Sequence, residues 1–364
     1  MSGSPRLLLL GGGHAHVQVL DALARHPLPG LQATLVTPYA RQMYSGMVPG
    51  LLAGHFEAAQ CAIPLAPLAA AASVDLRLAR AVALDAESRQ VTLDDGQRLG
   101  YELLSIDTGP ETDVDSLPGA RAHGLAVRPI EALWQRLQAL PAAAGPLLVV
   151  GGGAAGFELA MALAHARRGQ TQVALVAGPE PLAGLGAAVQ RRTVRALAAL
   201  GVPMHRQAAV ALAADHVQLQ DGTHLPCALA LLALGAAAPR WLAGSGLALD
   251  ARGFIATGPT LQSRSHPNVF AAGDVATRSD APHPKSGVYA VRAGPPLAAN
   301  LRAWLQGAPL QTYAPQRRTL YLLSCGGRRA IASWGGLSAE GAWVWRWKDR
   351  IDRAFVARYT RPTA

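Results

Sequence analysis

Paired cysteines are missing from this chain. Cys61, Cys227 and Cys325 stand alone, with no CxxC or CxxxxC spacing among them. That excludes a disulfide framework or a cysteine-held metal cluster, and it fits a reducing, cytoplasmic setting. Metal binding by histidine has no better basis. His14 and His16 lie two residues apart, and no further ligands accompany them. Long apolar runs are absent too, so no segment reaches the roughly 20 residues needed to cross a bilayer. A strand pattern begins almost at Met1, which leaves no room for a signal peptide. Aromatic residues make up only 5% of the chain. Acids are also in short supply, 23 against 33 Lys and Arg, for a net charge of +10. From Arg317 onward ten basic residues meet three acids, so most of the excess lies in the last 48 residues. Such a surface attracts anionic lipid, nucleic acid or an anionic substrate, and a scattered solvated face explains the count equally well. No nucleic-acid partner is expected.

Glycine-rich turns are what the chain has. The first runs Leu7-Leu-Leu-Leu-Gly-Gly-Gly-His-Ala-His16, and the second Leu147-Leu-Val-Val-Gly-Gly-Gly-Ala-Ala-Gly-Phe-Glu158. Each joins an apolar strand to an apolar helix pattern. That is the build of a dinucleotide pyrophosphate site, in which glycines permit a tight turn and the helix N-terminus faces the phosphates. A third turn follows at Asn268-Val-Phe-Ala-Ala-Gly-Asp274. Two such sites in one chain imply two dinucleotides, and the economical reason to bind two is to pass electrons between them. The 364 residues suit two or three intertwined domains.

The pattern places strands at 6–11, 33–37, 75–84, 89–93 and 103–106, and a helix over 17–25. A second strand–helix–strand unit starts at Leu147, with a helix over 157–168, a strand over 172–177 and a long helix over 187–200. Pro295–Gln306 reads as helical. The tail offers a hairpin, 319–324 with 330–334. Trp343, Trp345 and Trp347 then alternate like a strand, and Ile351, Ala354, Phe355 and Tyr359 mark one helical face.

The order of these parts resembles the two-dinucleotide-binding-domain flavoproteins, the pyridine nucleotide-disulfide oxidoreductase superfamily. The resemblance implies an α/β fold of two Rossmann-like domains, the NAD(P) domain inserted into the FAD domain, with a small α+β C-terminal region. The corresponding limits are 1–115 and 246–306 for FAD, 116–245 for NAD(P) and 307–364 for the tail. It implies noncovalent FAD on Gly11, Gly12, Gly13, His14, Ala15, His16, Thr37, Thr108, Gly109, Gly273 and Asp274. It implies NADH or NADPH on Gly151, Gly153, Gly156 and Gly235. Tyr44-Ser-Gly-Met-Val-Pro-Gly50 is similar to the loop of type II NADH:quinone dehydrogenases. Tyr44, Met47 and Pro49 are therefore assigned to the acceptor side. Ser105-Ile-Asp-Thr-Gly109 and Trp345-Arg-Trp-Lys-Asp-Arg-Ile-Asp-Arg353 resemble a bacterial subgroup fused to, or encoded beside, selenide, water dikinase.

Several positions depart from the family pattern. His16 replaces the third glycine of the first turn, so the helix must sit looser or an imidazole lies near the pyrophosphate. Neither second strand ends in the acid expected for a ribose. Thr37 is the substitute in the first unit. Glu180, Arg191 and Arg192 lie near the second, leaving NADH or NADPH open. No cysteine pair follows the first helix, which argues against disulfide-reductase and sulfide:quinone chemistry.

Glu158 is either a charge placed on a helix N-terminus or a group that orients the nicotinamide carboxamide and its protons. Lys285 is a surface lysine or a stabiliser of reduced flavin. These two are the catalytic candidates. The expected reaction is hydride transfer from NAD(P)H to FAD, then electron transfer to a quinone. The alternatives are a selenium-linked or other small acceptor, and a redox-sensing scaffold. The basic tail suggests peripheral contact with the inner face of the cell membrane, and the Trp segment is also a candidate subunit interface.

Overall fold

The Leu7–Leu10 run lacks polar alternation because both of its faces are covered. It forms β1 (Arg6–Leu10), whose four leucines are at most 3% exposed. In the computed structural model, which describes residues 5–141 and 145–360, β1 leads into α1 (His14–Arg25). It lies parallel to β2 (Gln32–Thr37), which in turn pairs with β3 (Val74–Leu78). On its other side β1 pairs with β4 (Leu103–Ile106).

The chain then leaves this sheet and builds a second one. β5 (Gly124–Ala126) and α2 (Ile130–Gln138) precede β6 (Leu147–Val150), α3 (Ala154–Ala166), β7 (Val173–Val176), α4 (Ala187–Ala199), β8 (Met204–His205) and β9 (Leu229–Leu232). The second sheet is parallel with order β5-β9-β6-β7-β8. The chain returns as β10 (Val269–Ala271), which completes a first sheet of order β10-β4-β1-β2-β3. The fold is thus α/β with two doubly wound parallel sheets.

The duplication extends beyond the parallel strands. Each half carries a three-stranded antiparallel meander, one over Ala81–Asp85, Gln90–Leu93 and Arg98–Gly100, the other over Ala209–Leu212, His216–Leu219 and His224–Pro226. Both have a register irregularity in the first strand. The single strand expected over 75–84 is therefore two. It breaks at Ala79, whose amide bonds to the Thr37 carbonyl, and Ala81 starts the meander.

The helix expected from Pro295 begins earlier. α5 (Gly287–Leu305) carries Pro295 and Pro296 in its interior. A proline there strands the carbonyl four residues back. The carbonyl of Val291 instead accepts a hydrogen bond from Gln18 Nε2 on α1, at 2.6 Å. Gly294 allows this approach, since a Cβ there would lie 2.3 Å from Gln18 Nε2. A side chain on α1 thus satisfies the proline-containing helix packed along it.

The tail is a three-stranded antiparallel sheet, β11 (Tyr321–Ser324), β12 (Ala330–Trp334) and β13 (Leu337–Gly341), followed by α6 (Ala342–Thr360). The expected Trp strand is wrong, because Trp343, Trp345 and Trp347 lie in the first turns of α6. The buried stripe of this helix is Val344, Lys348, Asp352, Val356 and Tyr359, while Ile351 and Ala354 face solvent. The stripe escaped notice because two of its members are charged. Lys348 donates to Asp352 at 2.6 Å one turn away, and the pair is buried together. Arg361 of the basic tail lies outside the described residues.

Candidate functional site

Both glycine turns sit at the C-terminal edge of their sheets. Gly11 bonds through its amide to the Val36 carbonyl at 2.8 Å, and Gly151 to Val176 at 2.9 Å. β4 and β9 occupy the same place beside β1 and β6, so Asp107-Thr108-Gly109 corresponds to Ala233-Leu234-Gly235. Gly11 and Gly151 have φ of +89° and +139°, and a Cβ on either would strike the neighbouring strand's backbone.

The second turn keeps the pattern of a close helix–strand approach. At Gly152 a Cβ would lie 1.9 Å from the Ala177 carbonyl oxygen, and at Gly156 1.9 Å from that of Gly151. Gly153 is the N-cap of α3 and supplies no side-chain hydrogen bond to it. Gly235 is exposed, and its carbonyl accepts from the Asp113 amide at 2.9 Å. Arg192 is engaged by Glu340 at 3.0 Å, while Arg191 and Glu180 stay exposed.

In the first turn His16 stands where Gly156 stands in the second. Its ring is fully buried, with Nδ1 at 2.6 Å from the Gly11 carbonyl and Nε2 at 2.8 Å from Ser105 Oγ. The looser packing is therefore filled by the imidazole, which points into the protein. Burial pushes this histidine down to about 4. The sequence reading missed Asp107. Its Oδ2 accepts from the amides of Ala15 at 2.7 Å and His16 at 3.0 Å. The signal was the acid standing directly before Thr108-Gly109.

A cleft of about 310 Å³ passes along this turn. Its lining includes Thr37, Ala79 and Arg80, the Gly11–His14 turn, Asp107–Gly109, and Asp274, Ser45, Gly287 and Ala290. Thr37 is buried, with Oγ1 at 3.4 Å from the Tyr39 amide. The cleft's glycine turn beside the N-terminus of α1 suits the pyrophosphate of a ligand such as FAD, with Arg80 and Arg128 in a lining that also holds Asp107, Glu111, Glu131 and Asp274. His14 lines the cleft with a buried Nε2 that has no hydrogen-bond partner among the described residues. Its ring lies 5.4 Å from that of Tyr44, and burial lowers it to about 4.

Asp274 lines the same cleft, 3.9 Å from Arg128. Burial raises its carboxyl, against the pull of Arg128 and Lys285. Gly273 is the tight spot of that turn, since a Cβ there would lie 2.6 Å from Asp107 Oδ1. Lys285 is half-buried and does not line the cleft. It donates to Thr277 Oγ1 at 2.9 Å and to the Ala276 carbonyl, and sits 3.8 Å over the Phe254 ring. Burial lowers it to about 8.

Glu158, on the second turn of α3, accepts the Ser324 amide of β11 at 2.7 Å. Burial pushes it up to about 7, opposed by Lys348 and that amide. Lys348 also donates to the Gly46 carbonyl at 2.6 Å. α6 is thereby clamped to the Tyr44–Gly50 loop. Tyr44 stacks on Phe355 at 4.6 Å. Met47 and Pro49 are buried, while Ser45 is exposed and lines the cleft and Tyr44 is half-buried against Phe355.

All three cysteines are free. Burial pushes Cys61 and Cys325 up to about 12, so neither is a thiolate near neutral pH. No metal-binding cluster occurs among the described residues.

Residues 5–294 match the family described as pyridine nucleotide-disulphide oxidoreductase. A demethylphylloquinone reductase of Synechocystis is 27% identical over 362 residues, covering 93% of this chain and 88% of its own. An NADH dehydrogenase-like protein of Mycobacterium tuberculosis is 30% identical over 242 residues, 61% of this chain and 60% of its own. Among solved structures, the sulfide:quinone oxidoreductase of Aquifex aeolicus superposes with a TM-score of 0.79 at 20% identity, over 98% of this chain and 91% of that one. NDH2 of Plasmodium falciparum in complex with NADH gives 0.78 at 13% identity, over 99% of both. These two show the fold.

Proposed function

For a chain that belongs to the pyridine nucleotide-disulphide oxidoreductase family, we propose that electrons pass from NAD(P)H through FAD to a quinone-like acceptor. Membership makes it an FAD-dependent oxidoreductase using NAD(P)H, and its cysteines offer no redox pair. The observation that carries the acceptor reading is the clamp of α6 on the Tyr44 loop. It holds α6, with its buried Lys348–Asp352 pair, against the loop whose Ser45 lines the cleft. The demethylphylloquinone reductase relative supports a quinone there.

Bound FAD supplies a carrier that takes hydride from reduced nicotinamide and gives electrons to the acceptor. The chain's own residues orient and insulate. Gly11–Gly13 and the N-terminus of α1 hold one dinucleotide, and Gly151–Gly156 and α3 the other. Asp274 is assigned to sugar hydroxyls. Lys285 holds a positive charge behind Asp274. Glu158 carries or releases a proton near neutral pH beside the nicotinamide. Met47 and Pro49 hold the Tyr44 loop from beneath.

The test is anaerobic stopped-flow reduction by NADH and by NADPH, followed by mixing with a soluble ubiquinone analogue. Flavin bleaching and then recovery of its absorbance are expected. Bleaching with no recovery by any quinone moves the assignment to a selenium-linked or other small acceptor. No bleaching with either nicotinamide leaves a flavin-binding scaffold.

A peripheral membrane contact is the second part of the reading. Trp343, Trp347 and Ile351 recur every four residues along α6 and are 53%, 41% and 40% exposed. Trp334 and Leu337 lie exposed on the adjacent hairpin. No helix among the described residues is long and apolar enough to cross a membrane. A second copy of the chain is the competing occupant of this stripe. Co-sedimentation with anionic vesicles at low and high salt separates the two. Binding that salt weakens supports the membrane, and no binding at low salt removes it.

A further inference from the structure

The first turn holds a carboxylate that its twin does without. Asp107 Oδ2 accepts the two amides of Ala15 and His16 in the first turn of α1. The corresponding position in the second half is Ala233, whose methyl side chain cannot accept a hydrogen bond from the first amides of α3. The carboxyl is wedged against both glycine turns of the cleft. A Cβ at Gly13 would meet its Cγ at 2.4 Å, and one at Gly273 its Oδ1 at 2.6 Å. Asp107 also lines the cleft itself. The anionic pyrophosphate of FAD would come to a helix N-terminus that already holds an anion. This inference rests on the reading that the cleft holds FAD.

We propose that FAD binds here together with one proton, which converts Asp107 from carboxylate to acid, so that pH sets the affinity for FAD. The step balances as carboxylate plus a solvent proton giving the acid. The neutral acid keeps an oxygen for the two amides and removes one negative charge from beside the phosphates.

Among the described residues no cation acts on Asp107, and Arg128 is spent on Asp274. On α1, His14 and His16 are held neutral by burial down to about 4. On the turn after β10, Asp274 contributes a second carboxylate, with Arg128 at 3.9 Å as its partner and Lys285 beyond it. Burial and the Asp274 charge already raise Asp107 to about 7, against its two amide bonds. A diphosphate alongside raises it further, because a like charge disfavours the ionised form. By linkage the ligand then prefers the protonated site. Its affinity falls as pH rises through the carboxyl's value in the free protein, and stops falling once the value in the complex is passed.

The test uses full-length protein. FAD release on dilution is followed by flavin fluorescence from pH 6 to pH 9, for the parent and for Asp107→Asn, which keeps an acceptor oxygen for both amides. The parent should lose about tenfold in affinity per pH unit above 7. The variant should bind FAD with a flat profile and more tightly than the parent at pH 9. Calorimetry of FAD rebinding in buffers of different ionisation heat should count close to one proton taken up by the parent at pH 8. The same slope in Asp107→Asn, or no proton uptake by the parent, overturns the proposal. If the variant does not fold, the proton count on the parent decides alone. If no form binds FAD at any pH, the FAD reading itself fails and the proposal falls with it.

Discussion

A Cβ at Gly156 would lie 1.9 Å from the Gly151 carbonyl oxygen. At the corresponding place in the first turn, the chain puts a whole imidazole against the Gly11 carbonyl. The same strand–turn–helix plan is thus closed in two ways. In the second half, two backbones touch and only glycine fits. In the first, the helix stands back and His16 fills the space, bonding the turn to Ser105 on β4. Asp107 fixes the start of that helix from the same strand end, where the second half has Ala233. The third glycine of such a turn is therefore one solution to a packing problem, and a buried, fully bonded side chain is another.

The comparison breaks most visibly at Gly156. Gly156→Ala should cost about 3 kcal/mol of nicotinamide binding, roughly 100-fold in affinity, with FAD content unchanged. Titration of oxidised holoprotein with NAD+ or NADP+ measures it. Unchanged affinity would mean the second turn is as loose as the first.

His16→Ala attacks the other closure. It leaves a cavity and unpairs Ser105, and should cost about 2 kcal/mol of stability, read from chemical denaturation. The cost should be pH-dependent. His16 is lowered from 6.5 to about 4 in the folded chain, so the unfolded chain takes up its proton first. The parent's advantage over the variant is fully present above 6.5 and shrinks as pH falls toward 4. A difference that does not change over that window would show the ring charged in place.

Asp274 and Glu158 sharpen the division between the two sites. Asp274→Ala should weaken FAD about tenfold, as expected for loss of a charged hydrogen-bond acceptor. Glu158→Gln should keep FAD and slow its reduction by up to about tenfold, within the range of one misplaced polar group. Because Glu158 is raised to about 7, nicotinamide affinity should improve as pH rises through 7 in the parent and stay flat in the variant. Equal FAD retention and equal reduction rates in both variants would overturn both assignments.

The smallest effect belongs to the thiols. Replacing Cys61, Cys227 and Cys325 by Ser or Ala should leave flavin reduction within a few-fold of the parent, since burial keeps Cys61 and Cys325 protonated. Loss of reduction in a Cys325→Ser protein that still holds FAD would show that thiol to be part of the chemistry.

Much of this was legible because it is written in backbone terms. The Leu7–Leu10 and Leu147–Val150 runs and the glycines after them specify strand, turn and helix locally. What stayed hidden depends on partners far along the chain. Asp107 looks like any acid after a strand until α1 folds over it. Lys348 and Asp352 look like solvent charges until each is found buried against the other, and their presence in the stripe of α6 disguised its period. The three alternating tryptophans read as a strand because five residues are too few to distinguish a period of two from the flanks of a helix. Lys285, open between a surface lysine and a stabiliser of reduced flavin, has its ammonium held by the Ala276 carbonyl, Thr277 and the Phe254 ring, partners that the local sequence does not announce.

The proline pair in α5 bears on how this sequence can vary. Pro295 frees the Val291 carbonyl, Gln18 occupies it from α1, and Gly294 makes room for Gln18 to reach. None of the three is favourable without the others. A side chain at 294 would expel Gln18, loss of Gln18 would orphan the carbonyl, and an ordinary residue at 295 would leave the amide of Gln18 competing for an acceptor already taken. Relatives that share this helix pair should therefore keep all three residues or exchange all three. Single replacements should be under-represented among them, and a graft of Pro295 alone into a relative lacking the set should fold poorly until positions 18 and 294 follow.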